Sequence, residues 1–278
     1  MNAKSNTFEF SFLTLNTMGA PLKPRIKERY QKIATEIQNA NAEFFALQEV
    51  FHVQKTRDWI FTPLAQNSLS MTHAHKYNLW KLKSTGSGLA SLSRHPVVKE
   101  EFYSYKSSSS VDRLSNKGVL LTRILCNSNF EIDFYNTHLQ ASYLYRHQNA
   151  KTRIRQLHEL SEFVHTHSTP KNLVIILGDF NFKENTPEYR CFMNDLWSVK
   201  GFSFLEIMRN LHPNPADKPL FTYQHLVRKS LKEKIDHKFM HVPKEWQWDL
   251  QNSSTQILDW DVSDHAPVLT RLCFAHAT

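Results

Sequence analysis

The apolar run Asn172-Leu173-Val174-Ile175-Ile176-Leu177 passes directly into Gly178-Asp179-Phe180-Asn181. A buried strand that ends in an acid, a spacer and an amide delivers two oxygen-bearing side chains to a sheet edge. On an extended chain a gap of two puts Asp179 and Asn181 on one face. There Asp179 suits orienting a nucleophilic water, and Asn181 suits donating to developing phosphate charge. An Asx-type turn after the strand accounts for the same spacing. Near the other end of the chain, Ser263-Asp264-His265 sets a second acid beside an imidazole able to take a proton from water at neutral pH. Asp264 does not easily reach its own neighbour's ring, so Asp236, in Ile235-Asp236-His237, is the better orienting acid. With 15 histidines in the chain, an ordinary surface histidine competes with this reading.

Two further positions belong with these. Glu49 closes the apolar segment Glu43-Phe44-Phe45-Ala46-Leu47-Gln48. A carboxylate there is costly unless it is paired or metal-bound. An oxygen ligand suits Mg²⁺, Mn²⁺ or Ca²⁺ over zinc, and a salt bridge to a Lys or Arg is the alternative. His138, in Asn136-Thr137-His138-Leu139-Gln140, suits donation to a phosphoryl oxygen or protonation of a leaving group; a satisfied core histidine is the competing view. Together these residues point to hydrolysis assisted by a hard metal ion. The chain has no Gly-x-x-x-x-Gly-Lys-Ser/Thr loop, Gly-x-Ser-x-Gly elbow or His-Glu-x-x-His helix, so nucleotide-driven, serine-nucleophile and zincin mechanisms lack support.

The elements that must position these residues show in the hydrophobic pattern. Phe8 to Leu15 alternates with period two and reads as a strand with Asn16 at its end. Arg25 to Ala40 carries Ile26, Tyr30, Ile33 and Ile37 on one helical face. Val119–Leu125 and Phe130–Thr137 form a hairpin that ends at His138. Arg146 to His167 is helical, and Thr186-Pro187 caps a helix running to about Trp197. Gly88–Ser93, Lys234–Met240 and Ala266–Leu272 are further strands. Ser107–Ser110 reads as a flexible loop. Many strands with interspersed helices and paired hairpins favour an α/β sandwich with mixed sheets.

The 278 residues, 41% hydrophobic, suffice for a substantial core. No Pro/Gly/Ser-rich or charged linker divides them, which points to one domain over residues 1–278. The formal charge of +8 suits an anionic partner such as nucleic acid, a phosphorylated small molecule or an acidic membrane, or serves solubility alone. Cys126, Cys191 and Cys273 are odd in number and widely spaced, which indicates neither a disulfide framework nor a zinc site. Met1–Phe10 lacks the apolar core of a signal peptide and no stretch is long enough to span a bilayer. The expected location is therefore cytoplasmic, or reached by export without a signal peptide.

Asn16, Leu47-Gln48-Glu49, Thr137-His138-Leu139, Gly178-Asp179-Phe180-Asn181, Ile235-Asp236 and Ser263-Asp264-His265 occur in the order of the endonuclease/exonuclease/phosphatase superfamily, the DNase I-like fold. The resemblance runs from Phe8 to Leu272. Within the superfamily the chain most resembles the neutral and bacterial sphingomyelinases. Thr137-His138-Leu139-Gln140-Ala141, Gly88-Leu89-Ala90 with His95-Pro96, and Arg155-Gln156-Leu157 are similar to their motifs. Asp112-Arg113-Leu114-Ser115-Asn116-Lys117-Gly118 matches their Asp-x-x-x-x-Lys-Gly loop. The inositol-polyphosphate phosphatase branch would have Cys-Asp-Arg where this chain has Ile235-Asp236-His237.

The resemblance implies a four-layered α/β sandwich with two mixed, mainly antiparallel sheets flanked by helices and the site at one end. It implies Glu49 on Mg²⁺ with Asn16 close by and Asp264 as a further ligand or water-mediated contact. Asp179 and Asn181 would hold nucleophile and phosphate, and His265 would be the general base oriented by Asp236. His138 would act on the phosphoryl oxygens or leaving group, with Lys117 and Asp112 shaping the substrate loop. The implied reaction is sphingomyelin to ceramide and phosphocholine, by a monomer with peripheral membrane contact. A nuclease, a phosphoinositide phosphatase and a non-catalytic lipid- or nucleic-acid-binding module are the alternatives. The nuclease reading draws on basic segments such as Arg228-Lys229 through Lys234. His237 stands where many relatives have Tyr. Trp246-Gln247-Trp248 puts both indoles on one face, for a lipid interface or an ordinary core.

Overall fold

The computed structural model describes residues 7–277 apart from 21–22, 24, 52–56, 66–68, 74–85, 128–129, 143–145, 198–199, 213–219 and 225–229. Arg228 and Lys229 of the basic segment lie outside the described residues.

In chain order the elements are β1 (Thr7–Asn16), α1 (Ile26–Asn39), β2 (Phe44–Gln48), α2 (Thr62–Ala65), β3 (Ser70–His73), β4 (Ala90–Ser93), β5 (Val97–Ser104), β6 (Gly118–Asn127), β7 (Phe130–His138), α3 (Arg146–His167), β8 (Leu173–Asp179), α4 (Pro187–Arg190), β9 (Leu205–Glu206), α5 (Ile207–Leu211), β10 (Tyr223–Gln224), β11 (Lys232–Glu233), β12 (Asp236–His241), β13 (Trp246–Ile257) and β14 (Val268–His276). One six-stranded sheet has the order β13-β14-β1-β2-β4-β3 and a second β5-β6-β7-β8-β12-β9, and β10 and β11 form a separate two-stranded ribbon. The β1/β2 and β7/β8 pairs are parallel, and the remaining pairs are antiparallel.

The central strands read as continuous apolar runs because both of their faces are covered. On β1 and β2, Phe10, Phe12, Phe44 and Ala46 point inward and meet Phe134, Ile175 and Leu177 of the other sheet. Phe44 stacks on Phe134 with ring centroids 3.8 Å apart. The alternate residues Leu13, Leu15, Phe45 and Leu47 face outward and bury Tyr30, Ile33 and Ile37 of α1. Val174, Ile176 and Phe239 face outward from the other sheet and bury Leu157, Leu160 and Val164 of α3. The result is helix, sheet, sheet, helix: the four-layered sandwich, with each fully buried apolar side chain contributing about 1.5–3 kcal/mol.

Several sequence expectations shift in detail. Thr186 does cap α4, accepting from the Tyr189 amide, but the helix ends at Arg190 and continues as a wider π turn, Cys191–Asp195, instead of reaching Trp197. The serine segment is tied down: the Ser107 amide donates to Glu159, and Ser109 meets Gln140 and Asn149. Lys234 of the basic segment is committed to Glu184 and Glu206. The half-buried indoles of Trp246 and Trp248 pack against the inter-sheet core. Trp246 sits opposite His276, at the far end of β14 from the His265 side.

Lys238 is an ionisable group inside this sandwich. It is fully buried on β12, and its ammonium donates to Thr255 and Thr270 of the facing sheet. Burial, reinforced by Lys234, pushes its pKa well below the ordinary lysine value. The unfolded chain binds this proton more readily. The cost to folding is therefore full below the folded pKa and vanishes as pH rises to the ordinary lysine range. Lys238→Met is expected to raise stability by about 1–3 kcal/mol at neutral pH, with the gain shrinking in urea titrations at alkaline pH. Equal destabilisation at every pH would mean that the threonine bonds outweigh the buried charge.

Candidate active site

The strand registers assemble the polar residues in rows. His138 is the last residue of β7 and lies opposite Asp179, the last of β8; Asp236, the first of β12, lies opposite Asp179 from the other side. In the facing sheet Asn16 ends β1 opposite Gln48, which ends β2 just before Glu49. His265 follows on an isolated bridge to Tyr223. Gly178 permits the first row. Its φ is +137°, and a Cβ there would fall 2.0 Å from the Thr137 carbonyl oxygen, so no other residue lets β7 and β8 approach this closely.

The two sheets are then bolted together by amides. The Asn16 side-chain nitrogen donates to Asp179 Oδ2 at 3.0 Å and meets Glu49 Oε1 at 3.3 Å, while its oxygen accepts from the Met18 amide. Its nitrogen thus faces the carboxylates, which suits it to hold them. Behind this, Gln48 donates to Asn136 at 2.7 Å, and Asn136 donates to the Leu47 and Ala90 carbonyls.

His265 donates from Nδ1 to Asp236 Oδ2 at 2.8 Å, which leaves Nε2 facing Asp179 Oδ2 at 3.8 Å. Burial alone would lower the His265 pKa, yet the carboxylates of Asp236 and Asp179 hold it above the ordinary imidazole value. Burial raises the Asp179 carboxyl against the pull of His265. His138 is driven the other way: burial, then Lys117 and His265, push its pKa well below normal, so its ring is neutral. Lys117 donates to His138 Nε2 at 3.0 Å, so the ring proton resides on Nδ1. That buried Nδ1 has no partner among the described residues.

Lys117 and Asp112 are themselves buried beside His138, not on an outlying loop. Lys117 pairs with Asp112 at 2.9 Å and donates to the Leu139 carbonyl, and Asp112 also accepts from the Ala141 amide. Asn181 reaches the same corner, donating to the Leu139 carbonyl at 3.2 Å. It does so through an Asx turn, in which its amide bonds Asp179 Oδ1 and its φ is +54°, and not through an extended chain. Of the two readings that the spacing left open, the structure shows the Asx turn.

Glu49 forms no ion pair among the described residues, where the sequence left a salt bridge open; its Oε1 meets only Asn16. Its backbone is left-handed, with φ at +57°, a conformation that costs on the order of 1 kcal/mol in a non-glycine residue and concentrates at functional sites. Asp264 is half-buried. Burial, then the carboxylates of Asp264, Glu233, Asp179 and Glu49, push the Tyr223 phenol up to about 12. Glu49 and Asp179 share the Asn16 side-chain nitrogen and so lie at one corner, and their carboxylate oxygens are the donors a hard divalent cation takes. One ligand atom each of Asp179, Asp236 and His265 also lies within 4.8 Å of the others.

The sequence reading missed the residues that hold these groups in place. Thr222 is fully buried; its hydroxyl accepts from the Ile235 and Asp236 amides, and its carbonyl from the Ala266 amide, joining both halves of the His265–Asp236 pair. Arg29 reaches from α1 to the carbonyls of Thr17, Met18 and Val262, clasping the loops that carry Asn16 and Asp264. Nothing local in the sequence marks either residue. His237, adjacent to Asp236, turns to the opposite face and bonds Glu206 and the Phe182 carbonyl, anchoring the turn after Asn181.

Two facing mixed sheets with all of these groups at one end define the DNase I-like fold. Beta toxin from Staphylococcus aureus, in a variant with bound magnesium ions, superposes with a TM-score of 0.66 at 19% identity, covering 95% of this chain and 99% of that one. TDP2 from D. rerio with a single-strand DNA product gives 0.71 at 12% identity, covering 95% and 98%. The chain belongs to the Endonuclease/Exonuclease/phosphatase family, whose sequence profile matches residues 13–265. A sphingomyelinase from Dictyostelium discoideum is 28% identical over 234 residues, 72% of this chain and 50% of that protein. The chain therefore spans about half the length of this curated relative. Among the described residues no helix is long and apolar enough to cross a membrane.

Proposed function

We propose that the chain is a Mg²⁺-dependent phosphodiesterase that cleaves a phospholipid head group, converting sphingomyelin to ceramide and phosphocholine. The observation that carries the hydrolytic part is the His265–Asp236 pair with its free Nε2 held 3.8 Å from Asp179 Oδ2. A single water placed ~2.8 Å from each atom bridges that gap. Asp179 orients the water and His265, once cation charge among the acids offsets the carboxylates that raise its pKa to about 10, would take the water's proton as it attacks phosphorus, while Asp236 fixes the ring tautomer and steadies the imidazolium. The orphaned His138 Nδ1–H is a donor for a phosphoryl oxygen. Burial and Lys117, held by Asp112, keep that histidine neutral, and Lys117 holds its proton on Nδ1.

Glu49 and Asp264 would hold the metal, with Asn16 steadying Glu49. The cation, when bound, offsets charge on the phosphate and the departing alkoxide. Mg²⁺ suits this oxygen set, and Mn²⁺ or Ca²⁺ compete for it. A metal held by Asp179, Asp236 and His265 instead would take the His265 Nε2 that faces Asp179, so the base reading assigns these three to the acid–base group. The sphingomyelin assignment draws on the Dictyostelium relative and on the Asp112–Gly118 loop. A panel of sphingomyelin, lysophospholipid, phosphoinositide and DNA, each with and without Mg²⁺, tests it. Metal-dependent phosphocholine release is expected. Cleavage of DNA alone would move the chain to the nuclease reading.

A further inference from the structure

After His138 the chain leaves β7 and runs through Leu139, Gln140 and Ala141, of which the first two are fully buried. Buried backbone groups must be paired, and here side chains from other segments pair them. The Leu139 carbonyl accepts from Lys117 and Asn181, and the Ala141 amide donates to Asp112. The Gln140 amide donates to Gln156, and the Gln140 carbonyl accepts from Arg153 at 3.0 Å. Arg153 and Gln156 are one turn apart on α3, so a single helix face holds both backbone groups of Gln140. Arg153 does more than this. Its Nη1 also donates to the Ser142 hydroxyl at 2.9 Å, and its Nη2 and Nε donate to Glu188 of α4 at 2.7 and 3.0 Å. Arg153 and Glu188 are both buried. A buried ion pair adds little net stability, because desolvation offsets the attraction. What this one fixes is direction: a planar guanidinium donates along set lines to three separate groups.

We propose that Arg153 is a positioning residue for His138. It bonds Gln140, Ser142 and Glu188, so it acts on the histidine through the loop between them. By holding Gln140 and Ser142 it fixes the peptide that presents the Leu139 carbonyl. That carbonyl sits 2.8 Å from the Lys117 ammonium, and the same ammonium donates to His138 Nε2 at 3.0 Å. A loop that shifts takes Lys117 with it or loses it, and either outcome frees Nε2 to compete for the ring proton that belongs on Nδ1. Glu188 aims the guanidinium, so α4, capped by Thr186, is the far anchor of the arrangement. The use of the Nδ1 proton at a phosphoryl oxygen rests on the phosphodiesterase reading; the hold of Arg153 on the ring does not.

Arg153→Lys keeps a cation beside Glu188 but cannot reach all three groups from one plane. It is expected to lower kcat roughly 10- to 100-fold with KM little changed, the scale of loss when a reacting group is misplaced by about 1 Å. In the His138→Ala background the same change is expected to cost less than about twofold. Undiminished kcat in Arg153→Lys, or full additivity with His138→Ala, overturns the proposal. Ring ¹⁵N shifts report the histidine tautomer and need no substrate. With the His138 signals identified by their loss in His138→Ala, wild type is expected to show a protonated Nδ1, and Arg153→Lys a mixture of tautomers. Identical ring spectra in the two proteins overturn the positioning role. If wild type cleaves no phosphodiester, the phosphodiesterase reading fails, and the ring spectra alone decide for Arg153. Arg153→Met/Glu188→Leu removes the pair without stranding a buried charge, and is expected to fold with the same kinetic and spectral defects. Circular dichroism checks folding; if neither variant folds, Arg153 is a structural residue and the proposal is overturned.

Discussion

His265→Ala is expected to lower kcat by roughly 10²–10⁴ with little change in KM, the range lost when a positioned general base is removed. Asp236→Asn is expected to follow it closely. The imidazole receives its proton on Nε2 only if Nδ1–H is fixed, and Asp236 Oδ2 at 2.8 Å fixes it. An asparagine amide turned to donate would stabilise the opposite tautomer and would no longer compensate the imidazolium. Because Asp236 acts through His265, the two losses are not additive. The double variant is expected to be no slower than His265→Ala alone. A double variant slower by the product of the two effects would give Asp236 an independent task, such as holding the metal. Kinetics on one soluble phosphodiester, with circular dichroism to confirm folding, separates these outcomes.

The second large effect is the metal's. Chelation is expected to abolish turnover, and Glu49→Gln is expected to raise the half-saturating Mg²⁺ concentration by roughly 10- to 100-fold. Glu49 has no cationic partner among the described residues and sits in strained, left-handed backbone at a site crowded with acids. This arrangement is costly without a bound cation. Stability provides a readout that needs no activity. A ligand at about a hundredfold over its dissociation constant stabilises the native state by about 2.7 kcal/mol. Mg²⁺ should therefore raise the melting temperature of the wild type, and much less that of Glu49→Gln. An equal shift in both proteins would place the ion elsewhere.

Much of the scaffold was legible because periodicity reports burial directly. The runs that became β1, β8 and the β6/β7 hairpin stand out, as do α1 and α3. Strands whose side chains are half exposed did not. β5 carries Lys99, Glu100 and Glu101 on a sheet edge, and β13 has polar residues on both faces and a register shift between Asp249 and Ser254. Neither shows a clean alternation. In the site, the identity of the acids and imidazoles was readable from strand ends, but their partners were not. Asn16 and Asp179 are 163 residues apart, and only the pairing of two sheets brings them to 3.0 Å. The clamps by Arg29 and Thr222 act through backbone carbonyls and amides, which carry no sequence signature. Asn181 shows a subtler limit: its spacing fits both an extended chain and an Asx turn, and only the fold selects the turn.

The central claim is that a metal-assisted attack by water, with His265 as base, breaks a choline phosphodiester. Release of phosphocholine from sphingomyelin vesicles tests it most directly, with wild type and His265→Ala each in Mg²⁺ and in chelator. Release is expected only from wild type in Mg²⁺. Undiminished release in chelator, or from His265→Ala in Mg²⁺, would contradict the account.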